Sequence, residues 1–176
     1  MSPKIIFIIA KKYFKDEEYF VPKEILERAG FFVETVAQEK GLAEGVDGGE
    51  ALVDASLRDV DLESAVAVVL AGGGGAQVYF EDKLVHNLLA EANKQGKIIG
   101  AICIAPTILA KAGILNGKKA TVWSSPLDKK FVKILEENGC VYLPQPVVQD
   151  GNIITANGPE AAADFAQALA SKLKNN

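Results

Sequence analysis

The sequence is poor in the side chains that build metal and disulfide frameworks. It has two cysteines, Cys103 and Cys140, and one histidine, His86. Two cysteines are too few for a disulfide framework or a structural zinc site. One bridge between them is possible, but nothing points to an oxidising compartment. No apolar run approaches the roughly 18 residues that a membrane span needs. Positive charge is also in deficit: the net charge is -4, which gives no electrostatic footprint for nucleic acid or an anionic membrane surface. The apolar run Ile5–Ala10 is short, two lysines follow it, and no small-residue cleavage site appears. The expectation is a first core strand in a cytoplasmic protein.

What is present is ordinary globular material. The 176 residues, 49% hydrophobic and 24% charged, suit one domain over residues 1–176 with one core. Short apolar runs alternate with amphipathic stretches. Strands are expected at Lys4–Ala10, Phe31–Val36, Ala65–Ala71, Lys97–Ile102 and Ala120–Trp123, with short ones at Cys140–Leu143 and Val147–Val148. Helices are expected at Lys23–Arg28, Glu81–Gln95, Pro106–Ala112, Leu127–Asn138 and Gly158–Lys172. Residues 40–60, rich in Gly and Asp, read as a loop with a small hairpin. Asp150-Gly151 marks a hairpin turn before Asn152–Thr155. The order β-α-β, repeated, predicts an α/β fold: a three-layer α/β/α sandwich around a mostly parallel sheet. Ligands in such folds sit beyond the carboxyl ends of the strands. That directs attention to the segments after Ala10, Ala71, Ile102 and Trp123.

Three of those segments carry candidate chemistry. In Gly100-Ala101-Ile102-Cys103-Ile104-Ala105-Pro106 an apolar strand runs straight into a helix start, with Cys103 at the junction. Alanines lie two residues to either side, as the crowded turn of a nucleophile elbow requires. A helix N-terminus there would lower the thiol pKa; a small buried hydrophobe is the competing reading. Gly72-Gly73-Gly74-Gly75 directly follows a buried strand. It matches neither dinucleotide nor P-loop spacing, and backbone N–H groups facing the thiol fit it better. The third segment, Tyr13–Pro22, carries Asp16, Glu17 and Glu18 after the first strand. By residue type alone these are capping and dipole partners.

Taken together these segments resemble the DJ-1/ThiJ/PfpI superfamily of class I glutamine amidotransferase-like proteins, over nearly the whole chain. The matching pieces are Phe14-x-Asp16-x-Glu18-x-x-x-Pro22, Leu70–Gly73, Ala101-Ile102-Cys103 with Pro106-Thr107, and Asp150–Thr155 with Gly158-Pro159. The resemblance implies a flavodoxin-like or amidotransferase-like fold and a nucleophilic Cys103. It implies that Glu18 is the acid whose protonated carboxyl hydrogen-bonds the thiolate. It also implies an oxyanion region of backbone groups at Gly72, Gly73 and Ile104, no cofactor, and a homodimer or higher homo-oligomer.

The family pattern breaks at two places. Ile104 stands where many members have a histidine after the cysteine. Trp123-Ser124-Ser125-Pro126 lacks the histidine that others carry before the proline. His86, within an amphipathic helix, reads as a surface histidine. No Cys-His triad follows, and peptide hydrolysis loses a base worth roughly 100- to 10,000-fold. Tyr13, Trp123 and Ser124 are candidates for a pocket wall; Cys140 reads as packed, and Asp16 and Glu17 as solvated. The resemblance thus implies a cofactor-free enzyme on small reactive carbonyls, of the glyoxalase or deglycase kind. The alternatives are a PfpI-type cysteine peptidase and a non-enzymatic redox sensor or stress chaperone, with Cys103 oxidised to a sulfinate.

Overall fold

A computed structural model describes residues 1–176. Strand β1 (Lys4–Ile8) is followed by the short β2 (Lys12–Phe14) and helix α1 (Asp16–Arg28). Next come β3 (Phe32–Ala37), the β4 (Gly41–Gly45) and β5 (Glu50–Val53) hairpin, and the two-residue β6 (Ala55–Ser56). Then β7 (Ala65–Leu70) leads through a 3-10 turn, Gly74–Tyr79, to α2 (Lys83–Lys94). The chain continues with β8 (Ile98–Ile102), α3 (Pro106–Lys111), β9 (Lys119–Ala120), α4 (Lys130–Glu137) and β10 (Val141–Tyr142). It closes with β11 (Val147–Asp150), β12 (Ile153–Ala156), a 3-10 turn at Pro159–Ala161 and α5 (Ala162–Lys174).

Seven strands form the main sheet in the order β11-β12-β8-β7-β1-β3-β6, all parallel except the β11–β12 hairpin. Alternation along β1 sorts the core into two layers. Ile6 and Ile8 face one apolar cluster, with Val85 and Leu89 of α2, Ile108 of α3 and Leu135 of α4. Ile5 and Phe7 face the other, with Tyr19 and Leu26 of α1 and Phe165 and Leu169 of α5. The fold is therefore the expected three-layer α/β/α sandwich. Strand order reverses between β1 and β7: from β1 the chain first moves outward to β3, then returns to the other side of β1. A crevice opens at such a switch point, beyond the carboxyl ends of the strands.

Several boundaries differ from the sequence reading. Helix α1 begins at Asp16, so the acidic residues form its first turn rather than precede it. The expected strand Ala120–Trp123 shrinks to Lys119–Ala120, paired with β10. The segment after it is held by hydrogen bonds outside any ladder: Thr121 N–H donates to Thr155 Oγ1, and Trp123 N–H to the Cys103 carbonyl. Hydrophobic run length cannot distinguish such a segment from a strand.

Two polar residues also differ. His86 is buried, and its Nε2 has no hydrogen-bond partner. It lies on the same helical stripe as Val85 and Leu89, which the count of apolar residues on α2 understates. Asp16 is half-buried and accepts backbone N–H bonds from Asp47 (2.9 Å) and Gly49 (2.6 Å). Glu17 is exposed, as expected.

Candidate active site

Cys103 directly follows β8 in a left-handed conformation, φ 63°. An L-residue there carries a steric cost, which persists only where the surroundings enforce it. The enforcement is visible on both sides: Cys103 N–H donates to the Ala156 carbonyl of β12 (2.9 Å), and the Cys103 carbonyl accepts from Trp123 N–H (2.9 Å). The turn closes with Ala105 N–H on the Ile102 carbonyl at 3.1 Å, and Pro106 opens α3. The geometry is that of a strand-turn-helix elbow, with the thiol half-buried at its apex.

Glu18 reaches the same point from α1. It is fully buried, and its Oε2 accepts the Gly72 N–H at 2.8 Å. Its Oε1 has no hydrogen-bond partner; the Cys103 thiol is among the groups that act on the carboxyl. Gly72 fills the seam between them. A Cβ on it would lie 2.5 Å from Glu18 Oε2, 2.6 Å from Cys103 Cβ and 2.9 Å from the Ile102 carbonyl oxygen. Only glycine allows this approach. The adjoining Lys15 N–H donates to the Gly72 carbonyl at 3.1 Å, so the turn is tied to the start of α1 twice.

The electrostatics change one expectation. Burial pushes the Glu18 carboxyl up to about 7, against the opposing hydrogen bonds from Cys103 and Gly72. The thiol is pushed up as well, by burial first and then by the Glu18 charge, while the N–H groups of Gly73 and Ile104 pull it down. The sequence suggested a thiol depressed by a helix terminus. That helix has six residues and starts beyond the elbow, so desolvation dominates. Cys103 and Glu18 therefore titrate as a pair. The first proton leaves near neutrality, and the second is held by the charge already present.

The backbone donors also sort differently. The Gly72 N–H is committed to Glu18, which removes it from the expected oxyanion set. Those of Gly73 and Ile104 face the sulfur.

Of the pocket candidates, Trp123 and Ser124 line a cleft of about 310 Å³ with Asn157, Gly158, Pro159 and Glu160. Cys103 is not among its lining residues but is joined to one of them, its carbonyl accepting the Trp123 N–H. Tyr13 does not line it; its ring is largely exposed, and its backbone packs on Gly73. Asn157 and Glu160 escaped the sequence reading, although both flank the Gly158-Pro159 signal. A larger cavity, about 480 Å³ between α1 and β5, is lined by Tyr19, Lys23, Glu27 and Asp54 and does not include the thiol. His86 is not among the groups acting on Cys103. Cys140 is buried against α4, and burial raises its thiol to about 11.

An elbow cysteine facing a buried acid across a glycine turn, on a switched parallel sheet, defines a class of α/β proteins with a thiol-centred site. The chain belongs to the DJ-1/PfpI family, whose model matches residues 3–172. It is 37% identical to Protein dj-1beta of Drosophila melanogaster over 98% of this chain and 90% of that one. It is 29% identical to the glutathione-independent glyoxalase DJR-1.2 of Caenorhabditis elegans, over 89% of this chain and 81% of that one. Among solved structures, a ThiJ/PfpI domain protein from Brachyspira murdochii superposes with a TM-score of 0.94 at 30% identity, covering 99% of this chain and 98% of that one.

Proposed function

We propose that the protein is a cofactor-free enzyme acting on small 2-oxoaldehydes, with Cys103 as nucleophile and Glu18 as its proton shuttle. The observation that carries this reading is the buried Glu18 carboxyl, raised to about 7, facing the elbow thiol. A carboxyl titrating near neutrality can both give and take a proton at working pH. The pair reacts through its minority form, with the proton on Glu18 and the charge on sulfur; burial opposes that form, and the Gly73 and Ile104 N–H groups offset part of the cost.

The sulfur adds to the aldehyde carbon, forming the C–S bond, and the carbonyl oxygen takes the Glu18 proton. The resulting carboxylate removes the proton from that carbon and returns one to the neighbouring carbon through an enediol. The first carbon is thereby oxidised to a thioester and the second reduced to an alcohol, so no external oxidant or reductant is consumed. Water then cleaves the thioester, releasing a 2-hydroxy acid and the thiol. The glyoxalase name of a relative supports the reaction class.

Peptide hydrolysis fits less well, because an amine leaving group needs an acid that reaches it and the single histidine lies elsewhere. The test is conversion of methylglyoxal to lactate by pure protein without added cofactor. Cys103→Ser should abolish it, and Glu18→Gln should lower it by roughly 100-fold or more. Peptide cleavage lost on Cys103→Ala, with no lactate formed, would replace this reading with the peptidase one.

A further inference from the structure

We propose that Asp16 is a positioning residue, whose carboxylate clamps the tip of the β4–β5 hairpin onto the first turn of α1 and so keeps Glu18 dry against Cys103. The inference rests on the reading of Cys103 and Glu18 as the reacting pair.

Asp16 is the first residue of α1 and Glu18 the third. An aspartate in a first turn ordinarily serves its own helix. Here both oxygens are spent on another element: Oδ2 accepts from Asp47 N–H and Oδ1 from Gly49 N–H. The hairpin tip is built to receive them. Gly45 N–H closes it on the Gly49 carbonyl at 2.7 Å, and a Cβ on either glycine would overlap the Asp16 carboxylate. Two further contacts join the same elements: Val46 N–H donates to the Phe14 carbonyl (2.9 Å), and Lys15 pairs with Asp47 (2.7 Å) at the surface.

The helix start needs this outside support. Its N-cap, Lys15, makes no side-chain cap hydrogen bond, and an uncapped first turn frays readily. Fraying here would expose Glu18, which stands one residue beyond Glu17. The charged and titratable groups that act on Glu18 are Lys15 and Glu17 from its own segment and Cys103 from the elbow. None of them supplies the dryness that lifts the carboxyl; packing of the first turn does. With water admitted, the carboxyl returns toward its ordinary value and keeps the pair's charge on oxygen, which starves the sulfur.

The test is the pH profile of Cys103 alkylation by iodoacetamide in the full chain, followed peptide by peptide so that Cys140 is scored separately. Wild type should show an inflection near neutrality that disappears in Glu18→Gln. In Asp16→Ala the inflection should move at least one pH unit to acid, and the neutral-pH rate should fall several-fold. Gly45→Ala, which expels the carboxylate from the other side, should do the same. The double variant should add nothing to either single one, and Asp16→Asn, which keeps one acceptor, should shift less. A lower melting temperature with the inflection unmoved, in a folded Asp16→Ala or Gly45→Ala, would overturn the clamp while leaving the pair intact. A wild-type profile indistinguishable from that of Glu18→Gln would overturn both.

Discussion

Tyr13 and Cys103 are the two non-glycine residues with positive φ, 65° and 63°, and both press on the same glycine turn. The Tyr13 carbonyl oxygen would lie 2.5 Å from a Cβ on Gly73, and Cys103 Cβ 2.6 Å from one on Gly72. Backbone strain is thus gathered around two glycines at the end of β7. Each strained residue closes on a position where a side chain would forbid contact. At Cys103 the left-handed turn brings the cysteine Cβ against Gly72, the glycine that also meets Glu18.

Gly72→Ala follows directly. The new methyl must displace the Glu18 carboxylate, the cysteine or the Ile102 carbonyl. Overpacking of this kind costs about 1–3 kcal/mol, so the chain should still fold while thiol-dependent turnover falls by at least 100-fold. Chemical denaturation and a lactate assay measure the two effects. Turnover within a few-fold of wild type would show that the seam between Glu18 and Cys103 is not used.

The cost of the elbow can be measured separately. Relative to Cys103→Ala, Cys103→Gly removes the left-handed penalty of roughly 1–2 kcal/mol but regains about 0.4–1 kcal/mol of unfolded-chain entropy. The glycine variant should therefore be the more stable of the two, by about 0.5–1 kcal/mol. A glycine variant less stable than alanine would place the strain elsewhere.

Glu18 also makes stability depend on pH. Its carboxyl is raised from 4.5 to about 7 in the folded chain, so between those values the native state holds more protons than the unfolded one. Stability from this group is complete below the unfolded value and is lost as pH rises through the folded one. The full loss is about 3 kcal/mol on the order-of-magnitude scale of 1.36 kcal/mol per unit. Urea unfolding at a series of pH values should show this decline in wild type and a flatter profile in Glu18→Gln. Identical slopes would deny the burial penalty.

His86 offers a contrast. Its buried Nε2 lacks a partner, which costs about 1–3 kcal/mol for a polar group. His86→Leu should be as stable as wild type or more so, with turnover unchanged within about twofold. A large loss of turnover in a folded His86→Leu protein would make this imidazole part of the reaction.

The sheet, its parallel order and the elbow were legible because continuous β-branched strands and the Ala-Ile-Cys-Ile-Ala pattern are local signals. Glu18 became distinguishable from Asp16 and Glu17 only through the family resemblance, since all three are acidic residues near one helix start. Their separate tasks depend on partners 30 or more residues away: Gly72 for Glu18, and Asp47 and Gly49 for Asp16. The thiol's electrostatics were misread for a related reason. A helix terminus is visible in sequence, whereas the desolvation that outweighs it comes from long-range packing. His86 shows the same limit, since an amphipathic pattern does not reveal how wide a stripe of α2 the rest of the fold covers.

The account turns on where the single negative charge of the pair resides. Titrating the ultraviolet thiolate absorbance of wild type, with Cys103→Ser subtracted and Cys140 replaced by serine in both, reads this directly. A minor part of the Cys103 absorbance should appear in a first step near pH 7, with the rest at high pH, and that first step should vanish in Glu18→Gln. Absorbance that appears only above pH 9, unchanged by Glu18→Gln, would mean that the charge stays on the carboxylate and would contradict the account.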